Sequence, residues 1–180
     1  MVLSSKENAM NRRLSIVALP TGALVVAAVL YAAAAPPAVS AASHVVAEGT
    51  FSSSGPAWTY DPIVPIRASA VVRTIETDSG QMVATLQVRD FAGAVDFTVH
   101  AHTGSCGPNP LASGGHYQHE VGGAVDAANE LWLGFSTTPS GTGSAQSVVD
   151  WHFRPGGARS ITFHDPDRSG LRVACLPVSF

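Results

Sequence analysis

Apolar and polar residues alternate along most of the chain from residue 44 onward, in short runs that end at turn-forming sequences. In one such run, Leu86 and Val88 alternate with Gln87 and Arg89. A period of two residues is typical of a β-strand with one buried face, because successive side chains project from opposite sides of a sheet. The pattern predicts strands at residues 44–51, 67–76, 81–89, 96–102, 131–135, 147–153, 160–164 and 171–176.

Seven or eight short strands without a convincing helix are typical of an all-β sandwich or barrel. We expect a single domain of this class over residues 43–180. The segment from Cys106 to Gly123 is rich in Gly, Pro, Asn and Ser and has no helical period, which predicts a long loop. Loops of this length in compact domains are usually functional or disordered, and a cysteine and two histidines in this one favour a functional role.

Residues 1–42 have a different pattern. Lys6, Arg12 and Arg13 precede an apolar run, and the small residues that follow offer a signal peptidase a cleavage site after Ala41 or Ala42. This order predicts a secretory signal peptide. The apolar run is also about long enough to span a bilayer, so the alternative is an uncleaved anchor that tethers the domain to a membrane. Either reading predicts export: a secreted, periplasmic or cell-envelope protein.

Charge and cysteine content narrow the classes of function. After residue 42 there are seven arginines, no lysine and twelve acidic residues, which leave a net charge of −5. No basic cluster is available to neutralise phosphates, so nucleic-acid binding is not expected. Cys106 and Cys175 are the two cysteines of the chain. Because an exported protein meets an oxidising compartment, we expect them to pair, closing a loop worth roughly 4 kcal/mol in the chain-entropy model.

Histidines are the candidate metal ligands. His100 and His102 are two residues apart in a predicted strand, so their α-carbons would lie about 6.6 Å apart on one face. His116, in a Gly-rich turn, is close enough in sequence to fold back on them, and His164 falls on the polar face of a later strand. Imidazole nitrogens at this spacing can converge on one transition-metal ion.

Four motifs occur in an order that identifies a family. They are His100-Ala101-His102 followed closely by Cys106, then Gly114-Gly115-His116, then Ile161-Thr162-Phe163-His164-Asp165, and finally Arg172-Val173-Ala174-Cys175. In this order they resemble the copper–zinc superoxide dismutase family, in its exported bacterial form, over most of residues 44–180.

The resemblance implies a Greek-key β-barrel of seven or eight antiparallel strands with long metal-site loops. It implies that copper is held by His100, His102, His116 and His164, and that the family's disulfide is Cys106–Cys175. Arg172 would attract the anionic substrate, superoxide, and His116 would be catalytic, since in the family this histidine leaves copper on reduction and rejoins it on oxidation.

The chain departs from the family in two places. The family's zinc subsite takes two further histidines and an aspartate, but here only His119 lies between His116 and the next predicted strand. Zinc is therefore doubtful, and we expect Glu120 or Asp126 to hydrogen-bond the distal nitrogen of His116 instead. Only ten residues separate His164 from Cys175, which predicts a more open site. Both departures resemble the copper-only branch of the family.

The predicted function is copper-dependent disproportionation of superoxide to dioxygen and hydrogen peroxide outside the cytoplasm. The alternative is a non-catalytic exported copper-binding or copper-buffering protein of the same fold, and a weaker one is a metal-free sandwich. The oligomeric state is left open. We expect His44 to be solvated, His152 to have a structural role, and Trp58, Trp132 and Trp151 to serve packing.

Overall fold

The computed structural model describes residues 44–180, so the predicted signal peptide at 1–42 lies outside the described residues. Nine strands are present in this range: β1 His44–Thr50, β2 Trp58–Thr59, β3 Ser69–Glu76, β4 Met82–Arg89, β5 Asp96–His102, β6 Phe135–Ser136, β7 Gly143–Val149, β8 Ser160–Asp165 and β9 Leu171–Pro177. Two short 3₁₀ helices span Pro110–Ser113 and Pro166–Arg168. None of the helices in residues 44–180 has the length and apolar character needed to cross a membrane.

The strands form two antiparallel sheets. One has the order β1-β3-β4-β7 and the other β2-β9-β8-β5-β6. The predicted all-β fold is confirmed as a sandwich, but the described strands do not close into a barrel. The strand count exceeds the predicted seven or eight mainly because β2 lies in a Ser/Gly/Pro-rich segment whose sequence shows no alternation.

The hydrophobic core lies between the sheets. Its centre is a group of edge-on and stacked phenylalanines with ring centroids 5.1–6.5 Å apart, namely Phe51, Phe91, Phe97, Phe135 and Phe163. Burying one such side chain contributes about 1.5–3 kcal/mol, and aromatic pairs add about 0.5–1.5 kcal/mol. This core makes β5 and β8 a rigid support for the side chains on their other face.

Two predicted strands differ from the structure. The segment 131–135 is strand only at its end, because Leu133 makes one backbone hydrogen bond to Val99 and Trp132 forms one isolated bridge before β6 begins at Phe135. The strand predicted at 147–153 begins and ends earlier in the structure. It is β7, Gly143–Val149, and Trp151, which follows it, is buried.

One face of the five-stranded sheet is covered. Residues 103–134, called the covering loop below, connect β5 to β6, and all six residues of β8 are buried. The predicted disulfide is confirmed: Cys106 in this loop is bonded to Cys175 in β9, with α-carbons 5.6 Å apart. Gly104 is required where the loop turns back, because a Cβ there would collide with the carbonyl oxygen of Ala112.

Candidate metal centre

Two neighbouring strands bring three histidines to the covered face. His100 and His102 lie two residues apart in β5. The antiparallel register sets His164 of β8 opposite Thr98, and His100 opposite Thr162. Because opposing residues in such a ladder project from the same face, the three imidazoles share it.

The fourth histidine comes from the covering loop. The backbone N–H of Tyr117 donates to the carbonyl of Ala101 at 2.8 Å, and His116 forms an isolated antiparallel bridge with His102. Gly114 has a φ of 68°, a left-handed conformation that glycine adopts without strain. The loop therefore runs back along β5 and delivers His116 to the histidines of the sheet.

The four imidazole rings form one cluster. The ring centroid of His116 lies 4.2 Å from that of His100, 4.8 Å from that of His102 and 5.9 Å from that of His164. One ligand nitrogen from each of His102, His116 and His164 lies within 4.8 Å of the others. The structure thus brings together all four histidines that the sequence predicted as ligands.

Hydrogen bonds fix the tautomers of two of these histidines. Nδ1 of His102 lies 3.0 Å from the carbonyl oxygen of Gly114, and Nδ1 of His164 lies 2.8 Å from that of Gly170. A carbonyl oxygen can only accept, so both Nδ1 atoms carry the proton. In the neutral rings both Nε2 atoms are then unprotonated, and they face one another 3.2 Å apart.

Two nitrogen lone pairs at this distance repel one another unless a cation binds both. A tetrahedral ion with ligands at about 2.0 Å sets neighbouring ligand nitrogens about 3.3 Å apart, close to this separation. Nδ1 of His100 is also buried without a hydrogen-bond partner among the described residues. The donor set therefore fits a transition-metal ion.

Burial keeps the cluster in the form that binds metal. Desolvation lowers the pKa of His100 to about 4 and, despite the bond to Gly114, lowers that of His102 to about 3. Desolvation also lowers the pKa of His164. These rings are neutral at pH 7, and a metal binds the neutral imidazole.

Glu130 is the acidic partner of His116. One of its carboxylate oxygens lies 2.7 Å from Nδ1 of His116 and accepts a hydrogen bond from Nε1 of Trp132 at 3.0 Å, and the other accepts one from Gln118 at 3.2 Å. Glu130 is 1% exposed. Burial alone would raise the pKa of the Glu130 carboxyl. The three hydrogen bonds have the larger effect, so its pKa lies below the ordinary value. A buried anion therefore faces the distal nitrogen of His116.

This arrangement corrects the prediction that Glu120 or Asp126 holds His116. Asp126 instead accepts hydrogen bonds from the backbone N–H groups of Ala128 and Asn129 and so shapes the covering loop. Glu120 is exposed. In the sequence, Glu130 alternates with the buried residues that follow it, which places it on the face opposite the core but does not identify His116 as its partner.

His119 lies apart from the cluster. Its ring stacks on Trp151 with centroids 5.2 Å apart, and its backbone N–H donates to the carbonyl of Asn129.

A second set of ligand atoms within 4.8 Å of one another combines His100, His116 and Glu130. That set shares two of its three residues with the main cluster.

Arg172 lies in β9 and is partly buried. Its Nη1 donates to the carbonyl of Pro110 and to the hydroxyl of Ser113, both at 3.1 Å, and its Nη2 donates to the carbonyl of Gly114 at 2.6 Å. Because that same carbonyl accepts the Nδ1 proton of His102, the guanidinium holds the part of the loop that orients a cluster histidine.

The other histidines and tryptophans have separate positions. His152 is exposed, and its side chain makes no hydrogen bond to the backbone among the described residues; its Nε2 lies 3.8 Å from a carboxylate oxygen of Glu76. His44 is exposed, as expected. Trp132, expected to serve packing alone, lies edge-on to His100 at 5.7 Å and is 40% exposed beside the cluster.

Searches against protein-family models and against curated proteins returned no match for this chain.

Proposed function

We propose that this chain is an exported, copper-dependent superoxide dismutase, which converts two superoxide anions and two protons into dioxygen and hydrogen peroxide. The observation that supports this most is the facing pair of unprotonated Nε2 atoms of His102 and His164 within a cluster of four imidazoles. Imidazole donors suit copper, which binds nitrogen sites more tightly than the other divalent first-row metals do. The motif resemblance supports the choice of reaction.

Each cluster residue has a role in this proposal. His100, His102, His116 and His164 would hold copper, which when bound supplies one-electron exchange between Cu(II) and Cu(I). The carbonyls of the loops on either side orient two of these rings through their Nδ1 protons. His100, His102 and His164 lie on strands of the sheet and would keep the metal in place while His116 leaves and rejoins it.

His116 is the proposed proton carrier. Its Nδ1 faces the Glu130 carboxylate at 2.7 Å, so a neutral ring carries its proton there and leaves Nε2 toward the cluster. Once Nε2 no longer holds copper, it can take up a proton, and the buried Glu130 carboxylate beside the ring stabilises the resulting positive charge. His116 can then pass the proton to reduced substrate, while solvent supplies the second proton.

Arg172 is the proposed attractor of superoxide. Its guanidinium stays charged at any physiological pH. Nε and the second proton of Nη2 make no hydrogen bond within residues 44–180, so they remain available to an anion. The confirmed disulfide and the pattern of residues 1–42 support export.

A non-catalytic copper-binding or copper-buffering protein is the second candidate. It is favoured by the use that the protein itself makes of Arg172, since three of the five guanidinium protons bind the covering loop. A guanidinium held in this way has fewer free N–H groups with which to bind an anionic substrate. The ligand cluster would be the same in both proposals, so copper binding alone does not separate them.

The test measures copper content and superoxide removal on the same disulfide-bonded protein. We expect one copper per chain and a copper-dependent rate near the diffusion limit, with both lost in His164→Ala. His152→Ala removes an exposed histidine outside the cluster and should change neither. Tight copper binding with a negligible rate would leave only the buffering protein, and absence of copper binding would contradict both proposals.

A further inference from the structure

The segment that follows His164 is short and strongly bonded to itself. The side chain of Asp165 accepts from the backbone N–H of Asp167 at 2.9 Å, and its carbonyl accepts from the N–H of Gly170 at 3.0 Å. Ser169 and Gly170 have φ values of 54° and 70°, so the chain turns tightly before β9. This turn aims the carbonyl of Gly170 back at Nδ1 of His164.

Arg168 ties this turn to a distant part of the chain. Its Nε donates to a carboxylate oxygen of Asp165 at 2.5 Å, and its Nη1 donates to a carboxylate oxygen of Asp61 at 2.7 Å. A planar guanidinium can serve two carboxylates at once, which a lysine cannot do with the same geometry. The hydrogen bond from Arg168 lowers the pKa of Asp61, as expected for a paired carboxylate.

Asp61 is a fixed anchor for this pair. Its second carboxylate oxygen accepts from the backbone N–H of Ile63 at 3.0 Å, and its carbonyl accepts from the hydroxyl of Thr59 at 3.1 Å. The adjacent Tyr60 donates its N–H to the carbonyl of Val173 in β9. Arg168 is therefore held by a segment that is itself joined to the five-stranded sheet.

We propose that Arg168 and Asp61 are positioning residues for His164. The chain of contacts runs from Asp61 through Arg168 to the Asp165 turn, and from there through the Gly170 carbonyl to the imidazole. It fixes the tautomer and orientation of His164, and so the direction in which Nε2 points. The inference rests on the proposed function insofar as His164 acts there as a metal ligand.

A second arginine in the molecule is used in the same way. Arg172 donates to the carbonyl of Gly114, which accepts from Nδ1 of His102. Arg168 holds the turn whose Gly170 carbonyl accepts from Nδ1 of His164. Each of the two facing histidines is thus oriented by a glycine carbonyl in a segment that an arginine secures.

The test reads the two histidines separately in the metal-free, disulfide-bonded protein. Imidazole ¹⁵N NMR follows exchange of each Nδ1 proton with water. In Arg168→Gln we expect the His164 proton to exchange at least about tenfold faster, while the His102 proton is unchanged. Cu(II) affinity should fall about tenfold, as is typical when a residue that orients a metal ligand is lost.

Related variants sharpen the result. Arg168→Lys keeps the charge but reaches one carboxylate, so an intermediate effect is expected. Asp61→Asn leaves the Asp165 pair in place and should act in the same direction more weakly; it provides the same measurement if Arg168→Gln does not fold. Arg89→Gln removes an equal charge from an exposed position in the other sheet and is the matched control.

Unchanged exchange at His164 in folded Arg168→Gln would overturn the inference, and so would equal acceleration at His102, which would indicate general loosening of the covered face. The proposed function fails separately. If the wild-type chain binds no copper or removes no superoxide, that proposal is lost, whereas the NMR comparison still decides whether Arg168 positions His164.

Discussion

The outer faces of the two sheets differ, although their strands follow the same alternation in the sequence. In β4 of the four-stranded sheet, Leu86 and Val88 are buried while Gln87 and Arg89 are exposed. In β8 of the five-stranded sheet, every residue is buried, including the polar Thr162. One polar face meets water and the other meets the covering loop.

The difference has a thermodynamic consequence. A polar side chain in water keeps its hydrogen bonds, whereas a buried one without a partner costs about 1–3 kcal/mol. On the covered face, the Nε2 atoms of His102 and His164 face one another and Nδ1 of His100 has no partner among the described residues. Proteins depart from simple burial rules mainly where function requires it, which supports the proposal that the metal site lies on the covered face.

Adding copper should satisfy the unpaired nitrogens of the covered face, and we expect it to change the free energy of unfolding more than any other test below. At a free Cu(II) concentration about 1,000 times its Kd, the free energy of unfolding should rise by about 4 kcal/mol, because the ion binds only the folded cluster. Thermal or urea unfolding with and without metal measures the change. The paired substitution His100→Ala and His102→Ala should abolish it, and a stabilisation that survives in that variant would place the bound ion elsewhere.

Acid should weaken the metal-free protein through the same residues. The folded-state pKa of His102 is about 3, below the ordinary 6.5, so the unfolded chain binds the proton first and stability falls as the pH drops below about 6.5. Between pH 7 and pH 5 the loss from His102 is about 2 kcal/mol, at 1.36 kcal/mol per pKa unit, and His100 and His164 add to it in the same direction.

Urea unfolding at pH 7 and at pH 5 checks this expectation. His152→Ala removes an exposed histidine outside the cluster and is the control for the loss of one histidine side chain. A free energy of unfolding that stays level from pH 7 to pH 5 would mean that the covered histidines are already accessible to protons in the folded protein.

Glu130→Gln should have a smaller effect, confined to the metal. The amide keeps the shape and one acceptor but loses the negative charge that faces His116, so Cu(II) affinity should fall by about 10- to 100-fold. Competition against a chelator measures the affinity. Glu120→Gln makes the same change at an exposed residue of the same loop. If Cu(II) affinity falls equally in the two variants, then the net charge of the protein and not the contact with His116 causes the loss.

The alternation of residues predicted the strands and the histidines that lie on them, because a strand's period fixes which side chains share a face. His100, His102 and His164 needed no other information. The sequence also predicted the disulfide, since the chain has two cysteines and a pattern of export. The position of His116 in a Gly-rich turn close to β5 made it a candidate ligand, and the resemblance in motif order supported that choice.

What the sequence could not supply depends on the path of the covering loop. Glu130 reaches His116 only because the loop turns back over the sheet, and the two acidic residues nearer in sequence to His116 point elsewhere. The bond between Arg168 and Asp61 joins residues 107 positions apart. No local period encodes such contacts, which explains why the prediction of Glu120 or Asp126 was wrong.

The smallest effect compares one threonine on each face. Thr162 is fully buried and its hydroxyl has no partner among the described residues, whereas Thr85 lies on the open face between Arg73 and Gln146 of the neighbouring strands. Valine has nearly the same shape as threonine. Thr162→Val should therefore raise the free energy of unfolding of the metal-free protein by about 1 kcal/mol, since it removes an unsatisfied buried hydroxyl. Thr85→Val should change it by less than about 0.5 kcal/mol. If urea unfolding shows Thr162→Val to be destabilising, then the hydroxyl has a partner in solution and the covered face is better satisfied than its contacts indicate.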